Sequence, residues 1–112
     1  MITVNKQLIS QAAVDCWYTR WDELRFQIHE AHATRNGQAA QWMLQGIAHF
    51  IEFLIEVSGV ESYDIQASYE ILPLNGKERL LFVQANPAQY ASYRQLDELY
   101  KETKKRCARL RM

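Results

Sequence analysis

The sequence predicts an all-α fold: an antiparallel helical bundle of three long helices plus one or two short ones. Three observations predict it. Apolar residues recur at alternating steps of three and four through three long segments, the spacing that lines one face of a helix. Start and stop signals separate those segments. The linkers are short, so neighbouring helices run antiparallel. At 112 residues the chain reads as one helical domain, residues 1–112, long enough to bury roughly two-thirds of its unfolded surface.

The first stripe is Val14, Trp17, Trp21, Leu24, Ile28 and Ala31, which predicts a helix from near the N-terminus to about Thr34. Ser10 either caps a break in this pattern or lies within it. Asn36-Gly37 predicts a stop, with the glycine left-handed after the last turn. A second helix is expected from about Gln38 to Ser58, where Gly59 ends it. Met43, Ile47, Phe50, Leu54 and Val57 form one stripe there, and Leu44, Ile51 and Ile55 a second. Trp42 and Phe53 widen it, leaving Gln45, His49, Glu52 and Glu56 as the polar strip. A helix this apolar is central or shares a face with a partner. Gly46 lies inside it at a cost of about 1 kcal/mol relative to alanine, which points to close approach of a neighbouring helix.

From Val60 to Pro73, Ile65, Ala67, Tyr69 and Ile71 alternate with other residues at a strand-like period. A lone strand has nothing to pair with, so an extended or single-turn connection packed on the bundle is expected. Asn75 and Glu78 read as a capping box that opens a short helix, with Leu80, Leu81 and Val83 on its apolar face. Asn86 is expected to cap the last helix, with Pro87 at its first position. Tyr93, Leu96, Tyr100, Thr103, Cys107 and Leu110 supply that helix's stripe. Removing Arg106 to Met112 is expected to leave the fold intact, because terminal turns fray.

Four patterns stand out along these elements. W-x3-W falls at Trp17 and Trp21, and GI-x2-F at Gly46, Ile47 and Phe50. PLN-x2-ERL-x-F runs from Pro73 to Phe82, and P-x2-Y-x4-QL-x-EL from Pro87 to Leu99. Together they resemble the YpoC-like helical domain family of Gram-positive bacteria. The resemblance implies a helical fold and a bacterial cytoplasmic setting. That family has no established activity, so the resemblance implies no catalytic residue, cofactor or ligand.

Composition narrows the class. Hydrophobic residues make up 48% and charged residues 23%, which excludes a disordered chain. The longest charge-free stretch, Asn36 to Ile51, contains three Gln and one His and is too short and polar to span a bilayer. No membrane association is expected. No charged leader followed by an apolar core opens the chain, so a cytoplasmic location is expected. Cys16 and Cys107 lack CxxC spacing and read as reduced, buried or half-buried thiols.

Candidate chemistry is thin. His29 and His32 lie one turn apart, as do His49 and Glu52. Di-iron bundles need about four carboxylates and two histidines converging inward, whereas His49, Glu52 and Glu56 lie opposite the apolar stripes. No HExxH is present, so no metal or cofactor is expected. The serines lack a GxSxG context, no local pattern arranges a histidine beside Cys16, and the glycines are isolated. The chain reads as not an enzyme.

Two surface features remain. The first hundred residues hold seven basic and twelve acidic residues, net −5, whereas Lys101 onward holds six basic and one acidic, net +5. Lys104, Lys105, Arg106, Arg109 and Arg111 are therefore candidate contacts for a partner or nucleic acid, although cations also suit a helix C-terminus. Trp42, Phe53 and Ile55 lie beside the main stripe of their helix and form a candidate apolar interface. The expected function is a non-enzymatic helical protein-interaction domain of unknown partner. The alternative is a weak nucleic-acid-binding accessory protein using the basic C-terminal helix. Nucleic acid is the less favoured partner, because net charge is zero and no recognised module is visible. A monomer is favoured over a homodimer, because Val60 to Leu74 is available to cover the surplus apolar surface.

Overall fold

The computed structural model describes residues 1–112. A 3-10 turn, Lys6–Leu8, precedes four helices: α1, Gln11–Thr34; α2, Ala39–Ser58; α3, Gly76–Ala85; and α4, Tyr90–Arg111. Helix accounts for 71% of the residues and no strand forms, as the periodicity predicts.

Local chemistry sets the boundaries and corrects several expectations. Ser10 caps a real break: its Oγ accepts the Ala13 amide at 3.2 Å, so α1 starts at Gln11 and not near the chain start. The left-handed residue closing α1 is Arg35, at φ 51, one residue before Asn36-Gly37. Gly37 is also left-handed, at φ 80, but serves the turn into α2, where Asn36 Oδ1 accepts the Gln38 amide at 2.9 Å. Gly59 closes α2 as expected, at φ 65.

The two remaining caps differ more. Asn75 is itself left-handed, at φ 56, and its side chain makes no capping bond, so the capping box does not form. Its carbonyl instead accepts the Arg79 amide at 3.0 Å. Asn86 closes α3, its Nδ2 donating to the Phe82 carbonyl at 3.0 Å. Pro87 lies in the turn before α4, not in its first position; the Gln89 amide bonds the Asn86 carbonyl across it at 3.1 Å. Proline's fixed φ suits that second turn position as well as it suits a helix start.

Helix α1 packs on α2 and α4, and α3 packs mainly on α4. One cluster of 23 buried residues forms the core. Every residue of the α1 stripe is buried, and the α4 stripe is buried through Cys107. A column of rings runs through the centre. Phe53 stacks on Trp17 at 4.1 Å, Trp17 on Tyr100 at 4.9 Å, and Tyr100 on Trp21 at 4.1 Å. Gly46 exists for this column. A Cβ there would lie 2.8 Å from Trp21 Cζ3 and 3.3 Å from Leu96 Cδ2. The close neighbours are thus side chains from two helices. The Tyr100 hydroxyl also donates to the Gly46 carbonyl at 2.5 Å.

The Val60–Pro73 connection packs its apolar side on the bundle, with Tyr69, Ile71 and Leu72 buried. It does have a pairing partner, which the sequence does not reveal. The Ile2 amide donates to the Ser68 carbonyl at 2.8 Å and the Glu70 amide to the Ile2 carbonyl at 2.9 Å, one parallel bridge.

The C-terminal turns are docked, contrary to the expectation of fraying. Cys107 is fully buried, Arg106 Nε donates to the Glu70 carbonyl, and Arg111 donates to the Ile9 carbonyl at 2.8 Å. Each long cation reaches across to a different segment, which tail sequence alone does not show. Deleting Arg106 to Met112 removes a buried side chain and two charge-assisted bonds, together about 2–4 kcal/mol. The expected result in a thermal melt is a fall of more than about 8 °C. An unchanged melting temperature would show that these turns carry no load.

Candidate functional site: a basic groove between the first and last helices

A groove of about 460 Å³ lies between the N-terminal half of α1 and the C-terminal half of α4. Val14, Tyr18, Lys101, Lys104, Lys105 and Arg111 line it. Helical spacing explains the gathering. Lys101, Lys104, Ala108 and Arg111 recur at steps of three and four beside the buried stripe of α4. Gln11, Asp15 and Tyr18 do the same on α1. Packing the two core stripes together therefore brings their flanking rows face to face.

Tyr18 lies in the groove, and burial raises its phenol pKa above the ordinary value. Lys104 Nζ lies 4.4 Å from the centre of that ring and 3.8 Å from Asp15 Oδ1. Lys101 Nζ is tied to Asp97 Oδ2 at 3.0 Å. Lys105 is exposed and pairs with no carboxylate within ion-pair distance. Arg111 bonds a carbonyl, so its charge is not neutralised by a carboxylate. The groove is positive, with Asp15 the one acidic residue among those lining it.

Three of the five basic candidates, Lys104, Lys105 and Arg111, thus come together. Arg106 does not join them, because it is held by the Glu70 carbonyl, and Arg109 is exposed outside the groove. Lys101 belongs to the groove and was missing from the candidates; its spacing to Lys104 and Lys105 is the signal that identifies it.

The apolar candidates do not form a patch. Phe53 is only 7% exposed and stacks on Trp17, so it is a core residue. Trp42 and Ile55 are half-buried, Trp42 against the core. Trp17 of α1 supplies the cover for Phe53 that the α2 pattern does not disclose. The exposed large apolar residues lie elsewhere, Phe26 at 61% and Leu44 at 56% among them.

His49 and His32 serve packing, whereas His29, Glu52 and Glu56 are exposed. His49 is half-buried and lines a surface pocket together with Cys16, Glu52 and Glu56. Its ring stacks 6.3 Å from Trp17, and its Nε2 lies 3.0 Å from the Trp17 carbonyl. His32 sets its ring edge-on to Tyr90 at 5.3 Å. The buried carboxylate of Asp97 joins α4 to α1, accepting from Trp21 Nε1 at 3.1 Å with Arg25 at 3.6 Å. Arg79 grips Glu102 through two bonds, 3.1 and 2.6 Å, and holds that carboxyl below its ordinary pKa. Trp21 and Asp97 are 76 positions apart, so no local spacing reveals their bond.

The two thiols differ, and Cys16 corrects its expectation because it is exposed. Cys107 is buried, and burial pushes its pKa to about 11. Thiolate is the reactive form. At pH 8 the native protein is therefore expected to titrate rapidly with one equivalent of a disulfide reagent. The second equivalent should react only in denaturant. Two fast equivalents would show that α4 opens near Cys107.

No helix is long and apolar enough to cross a membrane. The model of the YpoC-like protein family matches residues 11–112, from the first residue of α1 onward. A Bacillus subtilis (strain 168) relative, the uncharacterized protein YpoC, is 36% identical over 92 residues. The match covers 76% of this chain and 56% of that relative, so the chain spans little more than half the relative's length. No solved structure matches the chain. The chain belongs to the YpoC-like protein family.

Proposed function

We propose that this chain is a non-enzymatic, monomeric, cytoplasmic helical domain that binds another protein. One observation supports this most. Asp97, His49 and Tyr100 are engaged in holding helices together, and exposed Cys16 has no hydrogen bond to His49, while the groove between α1 and α4 keeps uncompensated positive charge at the surface. A site for acid–base or nucleophilic chemistry needs reactive groups left available and mutually placed. The burial of Phe53, Tyr69 and Ile71 within one chain supports the monomer.

Weak nucleic-acid binding is the second reading, favoured by the exposed Lys105 and Arg109. Arg106 is held by the Glu70 carbonyl away from the other tail cations, which weakens it. The test is capture from a Bacillus subtilis lysate on the immobilised domain, with and without nuclease, across 50–300 mM salt. The proposal expects a stoichiometric protein that survives nuclease. Capture that disappears with nuclease, and falls steeply with salt as phosphate contacts do, would favour the second reading and overturn the first.

A further inference from the structure

The groove between α1 and α4 combines two features that point to one kind of occupant. Its rim is cationic, carrying Lys101, Lys104, Lys105 and Arg111. Its floor is apolar, formed by Tyr18 and Ala108 over the buried Val14 together with lysine stems, which lie along apolar surface while their ammonium groups stay wet. From Lys101 to Arg111 the α4 wall runs about 15 Å at 1.5 Å per residue, roughly three helical turns. Resting on the proposed reading of a protein-binding domain, we infer that this groove binds a short amphipathic segment of a partner, acidic on one edge and aliphatic or aromatic on the other.

Charge and shape separate this occupant from a nucleic acid. A single strand could stack a base on Tyr18, but a phosphodiester backbone presents charge at every residue, whereas the groove ends after about three helical turns. A long polyanion would also run beyond the groove onto a chain whose first hundred residues carry net −5. A segment of about three turns ends where the positive charge ends. Asp15, at the α1 edge, sits 3.8 Å from Lys104 Nζ and loosely occupies the place of an incoming carboxylate. A partner carboxylate would take over that lysine, and the Tyr18 ring would stay beneath it. Complementary charge would speed encounter, and the apolar floor would slow departure.

The experiment is a selection of 16-residue displayed peptides on the full chain. Winners are then made with a fluorescein label and titrated by anisotropy. The expected winners are rich in Asp and Glu alternating with Leu, Ile or Phe at helical spacing. Lys104→Glu with Lys105→Glu should weaken them at least tenfold. Arg94→Glu with Arg109→Glu changes net charge equally at exposed positions outside the groove and should weaken them less than threefold. Circular dichroism confirms that both variants fold. Equal loss in both would mean unspecific attraction and overturn the groove. Winners that bind both variants like the wild type would overturn the groove and leave the protein-binding reading standing. A selection that enriches nothing acidic also overturns the groove. If, in addition, a labelled 20-nucleotide single strand binds the chain, the protein-binding reading falls with it.

Discussion

Trp21→Ala is expected to remove most of the folding stability. Trp21 is fully buried, and its ring stacks 4.1 Å from Tyr100 and occupies the space left by the missing side chain of Gly46. Truncating a buried tryptophan costs about 3–5 kcal/mol, because the surrounding helices collapse only partly into the cavity. The stack is worth about 0.5–1.5 kcal/mol beyond its area. Asp97 would also lose the indole N–H that it accepts at 3.1 Å. These effects overlap, and their joint size is at least about 4 kcal/mol out of a typical 5–15. In urea the midpoint should fall by about 2 M, or no folded baseline should remain. A fall below about 0.5 M would contradict the column of rings.

Phe53→Asp is expected to unfold the chain rather than change its assembly. Phe53 is 7% exposed and lies flat on Trp17. A carboxylate there has no cation on α1 or α2 within the column, and burying an unpaired charge costs several kcal/mol. The ring's own packing is lost as well, about 3 kcal/mol or more. The helical signal near 222 nm at pH 7 should collapse. A variant that keeps its helicity and sediments as a lighter species than the wild type would instead place Phe53 in an interface between chains.

Helices were legible where their evidence is local. The stripe from Val14 to Ala31 repeats every three or four residues, and each member is buried. Caps were less legible, because one residue type suits several turns. Asn75 has the right chemistry for a capping box, yet its backbone is left-handed and its side chain caps no amide. Pro87 fits a helix start and the second position of a turn equally well. Contacts between distant segments were not legible. Ile2 pairs with Ser68 and Glu70, Arg106 with Glu70, and Trp21 with Asp97, and none of these follows from spacing.

The candidate site was half legible for the same reason. Tail charge pointed to Lys104, Lys105 and Arg111 but equally to Arg106 and Arg109, since sequence does not say which cations face α1. Phe53 reads as surplus to two flanking helices because its stack on Trp17 joins distant segments, while Trp42 and Ile55 stay half-buried. The patterns that carry the resemblance are explained by packing. Trp17, Trp21, Gly46 and Arg79 build the ring column or clamp α3 to α4.

The central claim is a division of roles: ring-column residues hold the fold, and the groove lysines do not. Paired thermal melts of Tyr100→Phe and of Lys104→Glu with Lys105→Glu test it most directly. Tyr100→Phe removes a hydroxyl that donates to the Gly46 carbonyl at 2.5 Å while leaving the stack in place. A lost hydrogen bond of about 1 kcal/mol should lower its melting temperature by about 4 °C. The groove variant should lose less than Tyr100→Phe, because Lys105 is exposed and unpaired and the surface pairing of Lys104 with Asp15 contributes little. An unchanged Tyr100→Phe melt, or a groove variant that loses more than it, would contradict the account.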